Sequence, residues 1–113
     1  NQYLQKKKIK IKAIKKLENR VLLLSRSHAR NIELSKKHFR TTKAIFSGSS
    51  IKFCLIANGV GNIYPRLGPT MEWDTAAGHA ILNAAGGSVK TLDRRVLKYG
   101  KKGFKNPSFI ARS

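Results

Sequence analysis

The segment that most narrows what this chain can fold into is TMEWDTAAGHAILNAAGG, residues 70–87. It holds two of the chain's five acidic residues and none of its 24 Lys and Arg, in a protein of formal charge +19. Asp74 is placed to cap a helix, residues 75–85 form its body, and Gly86-Gly87 stop it. The body is built from Ala76, Ala77, Gly78, Ala80, Ala84 and Ala85, so its backbone can lie close against a flat apolar partner. Such a helix calls for a sheet.

Short strand-like segments supply one. Residues 21–24, 43–46, 63–67, 88–92 and 109–111 are brief apolar or β-branched runs bounded by Ser, Gly, Asn or Pro. Pro65 confines its segment to a sheet edge or a strand end, because proline offers no ladder donor. Between them, residues 31–39 read as a helix with Ile32, Leu34 and Phe39 as apolar members, and residues 51–57 as a short helix with a Ser cap and an Asn58-Gly59 stop. Strands alternating with helices predict an α/β fold, with helices layered on a sheet. Residues 8–12 alternate Lys and Ile and predict a strand or hairpin, although Ile11, Ile14, Leu17 and Val21 also approach helical spacing. Two regions follow: a basic N-terminal segment, 1–20, and an α/β body, 21–113.

A chain of 113 residues is at most one domain with a modest core. Its first residue is Asn rather than Met, which fits a processed or truncated product. The single cysteine, Cys54, excludes an internal disulfide and, inside the run 53–57, reads as a small buried hydrophobe. No apolar run approaches the roughly 18 residues a membrane helix needs, so a cytoplasmic location is expected, with the basic arms able to meet the inner face of the membrane. The charge is uneven: residues 1–43 carry 14 basic and 2 acidic side chains, residues 44–92 carry 3 and 2, and residues 93–113 carry 7 and 1. A nearly neutral middle with basic flanks favours polyanions, whether nucleic acid, anionic lipid or a multiply charged phosphate.

Two places in the neutral middle carry chemistry. In Gly48-Ser49-Ser50-Ile51-Lys52, Lys52 falls in a first helical turn, where the macrodipole disfavours a cation by about 0.3–1 kcal/mol unless an anion is bound there. Free N–H groups, hydroxyls and an ammonium at a helix start form a phosphate cradle; a solvated lysine beside an ordinary Ser cap is the alternative. Asp74 reads either as a helix cap or as an oxygen ligand for Mg²⁺. Glu72, two residues away, would point the same way in an extended segment. Arg66 reads as a bidentate phosphate ligand or as an ion-pair partner of Glu72 or Asp74. His28 ends a strand in a Ser-rich loop and either bonds a phosphate or caps the next helix, while His38 and His79 read as structural or solvated.

In order, Ser25-Arg26-Ser27-His28, Gly48-Ser49-Ser50-x-Lys52-Phe53-Cys54, the string 64–80 with its Trp73-Asp74-x-Ala76-Ala77-Gly78 core, and residues 106–111 resemble the C-terminal half of the bacterial 3'(2'),5'-bisphosphate nucleotidases of the inositol monophosphatase superfamily. The resemblance runs over about residues 21–112. It implies the C-terminal α/β subdomain of the inositol monophosphatase-like fold. The implied activity is Mg²⁺-dependent removal of the 3'-phosphate from adenosine 3',5'-bisphosphate, a by-product of sulfate assimilation. It implies a metal ligand in Asp74 and nucleotide or phosphate contacts in His28, Ser49, Lys52 and Arg66, with Gly48, Glu72 and Trp73 as structural neighbours. The Glu-Glu segment and Asp-Pro-x-Asp-Gly-Thr motif that carry the other ligands of such enzymes do not occur in these 113 residues. Asn58 stands where the family often has Glu, Asn62 where it often has Asp, and Arg94 where an Asp-Gly turn has its Gly. The expectation is a chain that carries the substrate face, lacks its N-terminal half as a partner, and is inactive by itself. The rival from composition is a small basic nucleic-acid-binding protein, but Tyr3 is the only ring before Phe39, which leaves little for base stacking.

Overall fold

A computed structural model of the chain describes residues 11–25 and 31–113. Within them, β1 (Val21–Leu24) is followed by α1 (Ile32–His38), β2 (Lys43–Phe46), α2 (Ser49–Ala57), β3 (Ile63–Arg66), the short β4 (Thr70–Met71), α3 (Glu72–Ala84), β5 (Ser88–Thr91), β6 (Lys105–Asn106) and β7 (Phe109–Arg112). Five strands form one mixed sheet in the order β2-β1-β3-β7-β5, and β4 pairs with β6 in a small second sheet. β1 runs parallel to β2 and β3, whereas β7 runs antiparallel to β3 and β5. The predicted α/β layering is present.

β1 is apolar at every position because both of its faces are covered. Leu23 joins the core under α2 and α3, with Phe53, Ile56, Leu82 and Val89. Leu22 and Leu24 point to the other face and pack with Ile63, Phe39, Ala44 and Ile110. At the centre of the first core, Phe53 meets Tyr64 edge-on at 5.6 Å and lies 6.0 Å from Phe109 in a stacked arrangement. Gly78 lets the two helices close on each other: a Cβ there would stand 2.6 Å from the Phe53 ring.

Several local expectations need correction. α2 starts two residues earlier than proposed, with Gly48 rather than a Ser as N-cap, in an extended conformation and with no side-chain cap. α3 begins at Glu72 with Met71 as N-cap, so Asp74 sits at the third helical position and reaches back to accept the Met71 N–H at 2.9 Å. That reciprocal geometry suits a carboxylate in the first turn. Glu72 therefore does not project beside Asp74; two residues on a helix are turned about 200° apart. Cys54 is exposed rather than buried. The run 53–57 is helical, so Phe53, Ile56 and Ala57 face inward and Cys54 is carried round to the outside.

Pro65 lies in the middle strand of the five, not at an edge. It stands opposite Ile110 of β7, while the pairing of β3 with β1 is confined to Ile63 and Leu22. Pro65, which has no N–H, makes no recorded ladder pair with β1.

The strand expected at 8–12 lies partly outside the described residues, and Ile11 to Lys16 take no strand. This segment is nonetheless tied to the body. Ala13 donates its N–H to the Ala85 carbonyl at 2.9 Å. The buried Asn62 donates through Nδ2 to the Ile14 carbonyl at 2.9 Å and accepts the Val21 N–H on Oδ1 at 2.8 Å. An aspartate at 62 has no donor for Ile14 and would bury a charge, so the amide suits this position. Arg94 occupies the left-handed turn position expected of a glycine, with φ 65°. Among the described residues no helix is long and apolar enough to cross a membrane.

Candidate anion cradle and half-built metal centre

Where β1, β2 and β3 end, two cations converge. β2 finishes at Phe46, the chain turns through Ser47 and Gly48, and α2 starts with its first-turn N–H groups facing the strand ends, without intrahelical partners. Lys52, on the first turn, is fully buried rather than solvated. Its Nζ donates to the Ser47 carbonyl at 2.5 Å and lies 4.8 Å from the centre of the Tyr64 ring. From the end of β3, Arg66 reaches across the gap to β1 and donates through Nη1 to Ser25 Oγ at 2.8 Å. Its Nε is buried without a hydrogen-bond partner among the described residues.

Neither cation forms a salt bridge among the described residues. The expected alternative for Arg66, an ion pair with Glu72 or Asp74, is therefore not what the fold builds. Burial, and then repulsion from Arg66, lower the Lys52 pKa from 10.5 to about 8. A fully buried ammonium beside a half-buried guanidinium, with no carboxylate paired to either among the described residues and one guanidinium N–H unsatisfied, is an arrangement that an anion completes. Ser49 is the first residue of α2; its side chain, and the whole of His28, lie outside what the structure describes.

Asp74 is presented by a different element. It is exposed at the start of α3, next to Trp73, which is 69% exposed. One carboxylate oxygen takes the Met71 N–H; the other makes no hydrogen bond among the described residues. An exposed carboxylate oxygen fits one ligand position of a hard cation such as Mg²⁺. Among the described residues, however, no three His, Cys, Asp or Glu side chains converge. The described residues offer one candidate oxygen and do not form a metal site.

Glu72 does something the sequence did not suggest. Its buried carboxylate accepts the N–H groups of Gly100 at 2.9 Å and Lys101 at 3.1 Å, and the Lys101 ammonium at 2.6 Å. The Lys101 bond is the main reason its carboxyl is held below the ordinary 4.5, with the two backbone donors adding to it against the opposing effect of burial. Lys101 also reaches Asn106 Oδ1 at 3.0 Å, and Asn106 Nδ2 donates to Thr70 Oγ1, the Met71 carbonyl and Thr75 Oγ1.

A second chain of bonds runs beneath. Tyr99 Oη donates to Thr75 Oγ1 at 3.2 Å, which in turn donates to the Glu72 carbonyl. Tyr99 has then spent its proton, so the 2.8 Å contact with His79 requires Nδ1–H of His79 as donor. That tautomer leaves Nε2 as a bare acceptor, consistent with its having no partner among the described residues. Burial holds the His79 imidazole below its usual range, and hence neutral. Together these bonds clamp the 98–106 segment onto the first turns of α3. The signal was absent from the sequence because two of the donors are backbone N–H groups 28 and 29 residues away.

Comparison with known proteins fits this arrangement. Residues 1–112 match the inositol monophosphatase family. The chain is 54% identical over 83 residues to an uncharacterised protein in the pss 5' region of Rhizobium leguminosarum bv. phaseoli, covering 65% of this chain and 87% of that one. It is 44% identical over 110 residues to the 3'(2'),5'-bisphosphate nucleotidase CysQ of Buchnera aphidicola, covering 94% of this chain and 40% of that one. The crystal structure of CysQ from Bacteroides thetaiotaomicron superposes with a TM-score of 0.73 at 42% identity, over 88% of this chain and 39% of that one. The chain thus spans about two fifths of the length of these nucleotidases. Enzymes of this family are generally metal-dependent. With the match running through residue 112 and a mixed sheet and helices shared with a solved relative, this chain belongs to the inositol monophosphatase family.

Proposed function

We propose that this chain carries the substrate-binding face and one metal ligand of a 3'(2'),5'-bisphosphate nucleotidase that removes the 3'-phosphate of adenosine 3',5'-bisphosphate. The observation that carries the reading is the buried Lys52 beside Arg66 at a helix start, two cations with no salt-bridge partner among the described residues. Similarity to CysQ nucleotidases over most of the chain supports the choice of substrate. On this reading Lys52 and Arg66 bind and orient a phosphate, joined by Ser49 and His28. Asp74 contributes one oxygen to Mg²⁺, whose remaining ligands come from the portion of the enzyme that this chain does not span. A bound Mg²⁺ neutralises phosphate charge and activates water as nucleophile. The Glu72 clamp holds the first turn of α3, with Trp73 and Asp74, in place. The 113 residues alone bind the nucleotide and do not turn it over.

Calorimetric titration of adenosine 3',5'-bisphosphate into the chain tests the cradle. Losing one charged hydrogen-bond partner weakens binding by roughly 10- to 100-fold, so Lys52→Met and Arg66→Ala should each do so in 0.3 M salt, where diffuse attraction to the basic arms is screened. The pH dependence follows from the Lys52 pKa. In the free chain Lys52 loses its proton above about 8, whereas a bound anion favours the ammonium, so affinity falls as pH rises through that value. Affinity in both variants equal to that of the unsubstituted chain, or a flat profile between pH 7 and pH 9, sinks the assignment.

A further inference from the structure

The side of the sheet away from α2 and α3 is open along β5 and β7. Side chains alternate on these strands: Val89, Phe109 and Ala111 enter the core beneath the helices, so Lys90, Ile110 and Arg112 point the other way. Two adjoining hollows mark that side. The first is lined by Leu34, Phe39, Leu67, Leu92 and Ile110, and its rim protrudes, with Leu34, Leu67 and Leu92 exposed by 65%, 62% and 58%. The second shares Leu92 and Ile110 with the first and is edged by Lys90, Arg94 and Arg112, all exposed. No acidic residue lines either hollow, and none of the three cations forms a salt bridge among the described residues. The acids nearest in sequence, Glu33 and Asp93, pair with Lys36 and Arg95. Arg94 stands here at φ 65°, a conformation that a glycine takes freely. A single exposed leucine is ordinary on a protein surface, but three around one groove, beside three unpaired cations, form a patch that calls for a partner.

We infer that this face docks on a bilayer of anionic lipid, with the three leucines entering the boundary between headgroups and acyl chains and the three cations meeting lipid phosphates. The combination of side chains selects the partner. Leucines set beside Lys and Arg match a surface that is anionic outside and apolar just beneath. A nucleic acid matches only the cations: leucine offers no ring for a base to stack on, and the Phe39 ring in the groove is half-buried against Leu22, Leu24 and Ile63. The formal charge of +19 adds long-range attraction to the same bilayer. Lys52 lies across the sheet, against Tyr64 in the core beneath α2 and α3, so substitutions on the open side should leave nucleotide binding unchanged.

Flotation of the full chain with vesicles of phosphatidylcholine and phosphatidylglycerol, three parts to one, tests this, with pure phosphatidylcholine as the uncharged comparison. The chain should float with the mixed vesicles and not with the uncharged ones. Charge alone draws so basic a chain to anionic lipid, so the deciding variant keeps the charge constant. Leu34→Ser, Leu67→Ser and Leu92→Ser together should weaken binding by at least about tenfold, because apolar area no longer enters the lipid. Binding equal to that of the unsubstituted chain overturns the proposal. Lys90→Thr, Arg94→Gly and Arg112→Thr together should weaken it by roughly 100-fold, at about fivefold per cation. That loss should exceed the one from Lys98→Thr, Lys102→Thr and Lys105→Thr, which remove the same charge from the segment clamped to α3; an equal or smaller loss overturns the assignment of this face. A second measurement locates the contact. In a Cys54→Ser background, a polarity-sensitive dye on Leu92→Cys should shift to the blue on the mixed vesicles, while the same dye on Ile51→Cys, in α2 on the opposite side of the sheet, should not. A shift at position 51, or none at position 92, contradicts the docking geometry. So does an equal shift at position 92 with monomeric dihexanoyl phosphatidylglycerol, which marks a soluble amphiphile as the ligand, or with single-stranded RNA, which marks a nucleic acid.

Discussion

Gly78→Val should unfold this chain or leave it barely folded. A Cβ at this position would stand 2.6 Å from Cδ2 of Phe53 and 2.8 Å from its Cβ, and valine adds two further methyl groups. Phe53 cannot yield, because it is fully buried and held by Tyr64 and Phe109. Overpacking of this kind costs about 3 kcal/mol or more in a tight core, a large part of the roughly 5–15 kcal/mol that keeps a domain folded. Urea denaturation followed by circular dichroism measures it. If the clash with Phe53 is the cause, Phe53→Leu should recover part of the loss in the double variant although it is destabilising alone. Additive effects would place the damage elsewhere.

Glu72→Ala should release the 98–106 segment from α3. The substitution leaves the N–H groups of Gly100 and Lys101 without the carboxylate they donate to and removes the partner of the Lys101 ammonium. Amide exchange at Gly100 and Lys101 should accelerate by about tenfold or more, since each donor loses its only acceptor. Glu72→Gln, which keeps an acceptor oxygen, should retain part of the protection. The carboxyl is held below its ordinary 4.5 in the folded chain. Its contribution is therefore fully present above 4.5 and disappears as pH falls through the lower folded value, so the segment should loosen in acid before the core does. Exchange rates at both amides that do not respond to substitution or to acid would show that the clamp is not structural.

Those two sites differ in how far they could be read from the sequence. Gly78 and the alanines around it announce a close approach, expected against a sheet and met at Gly78 by Phe53 of α2, and the run 21–24 announces a strand, because composition alone restricts what can pack there. Helix ends were less legible. Ser and Asp are strong cap signals, yet Gly48 and Met71 take the N-cap positions, both in extended conformation, and only in α3 does a first-turn carboxylate accept the N–H of the cap residue. Pro65 misled because the edge-strand rule assumes continuous ladders on both sides, and β1 leaves β3 after Ile63. Cys54 misled because an apolar run was taken as uniformly inward, whereas a helix sends every fourth side chain out. In the site, Lys52 was legible from the unfavourable place of a cation at a helix start. Its pairing with Arg66 was not, because only the sheet brings those two chain segments together. The Glu72 clamp had no sequence signal, since its donors are backbone groups.

The neutrality of residues 70–87, out of keeping with their basic flanks, now has two physical reasons. The inner side of α3 meets Phe53 and the sheet. The outer side carries Asp74 in its first turn. An ammonium on either side would be desolvated or would compete for Asp74.

The central claim is that these 113 residues hold the phosphate but not a complete metal centre. The direct measurement is phosphate release from adenosine 3',5'-bisphosphate by the purified chain in Mg²⁺, with nucleotide binding followed in the same samples. Binding that Arg66→Ala abolishes, without release above the uncatalysed rate, is the predicted result. Turnover at the ordinary enzyme range of about 1 s⁻¹ or more would contradict it.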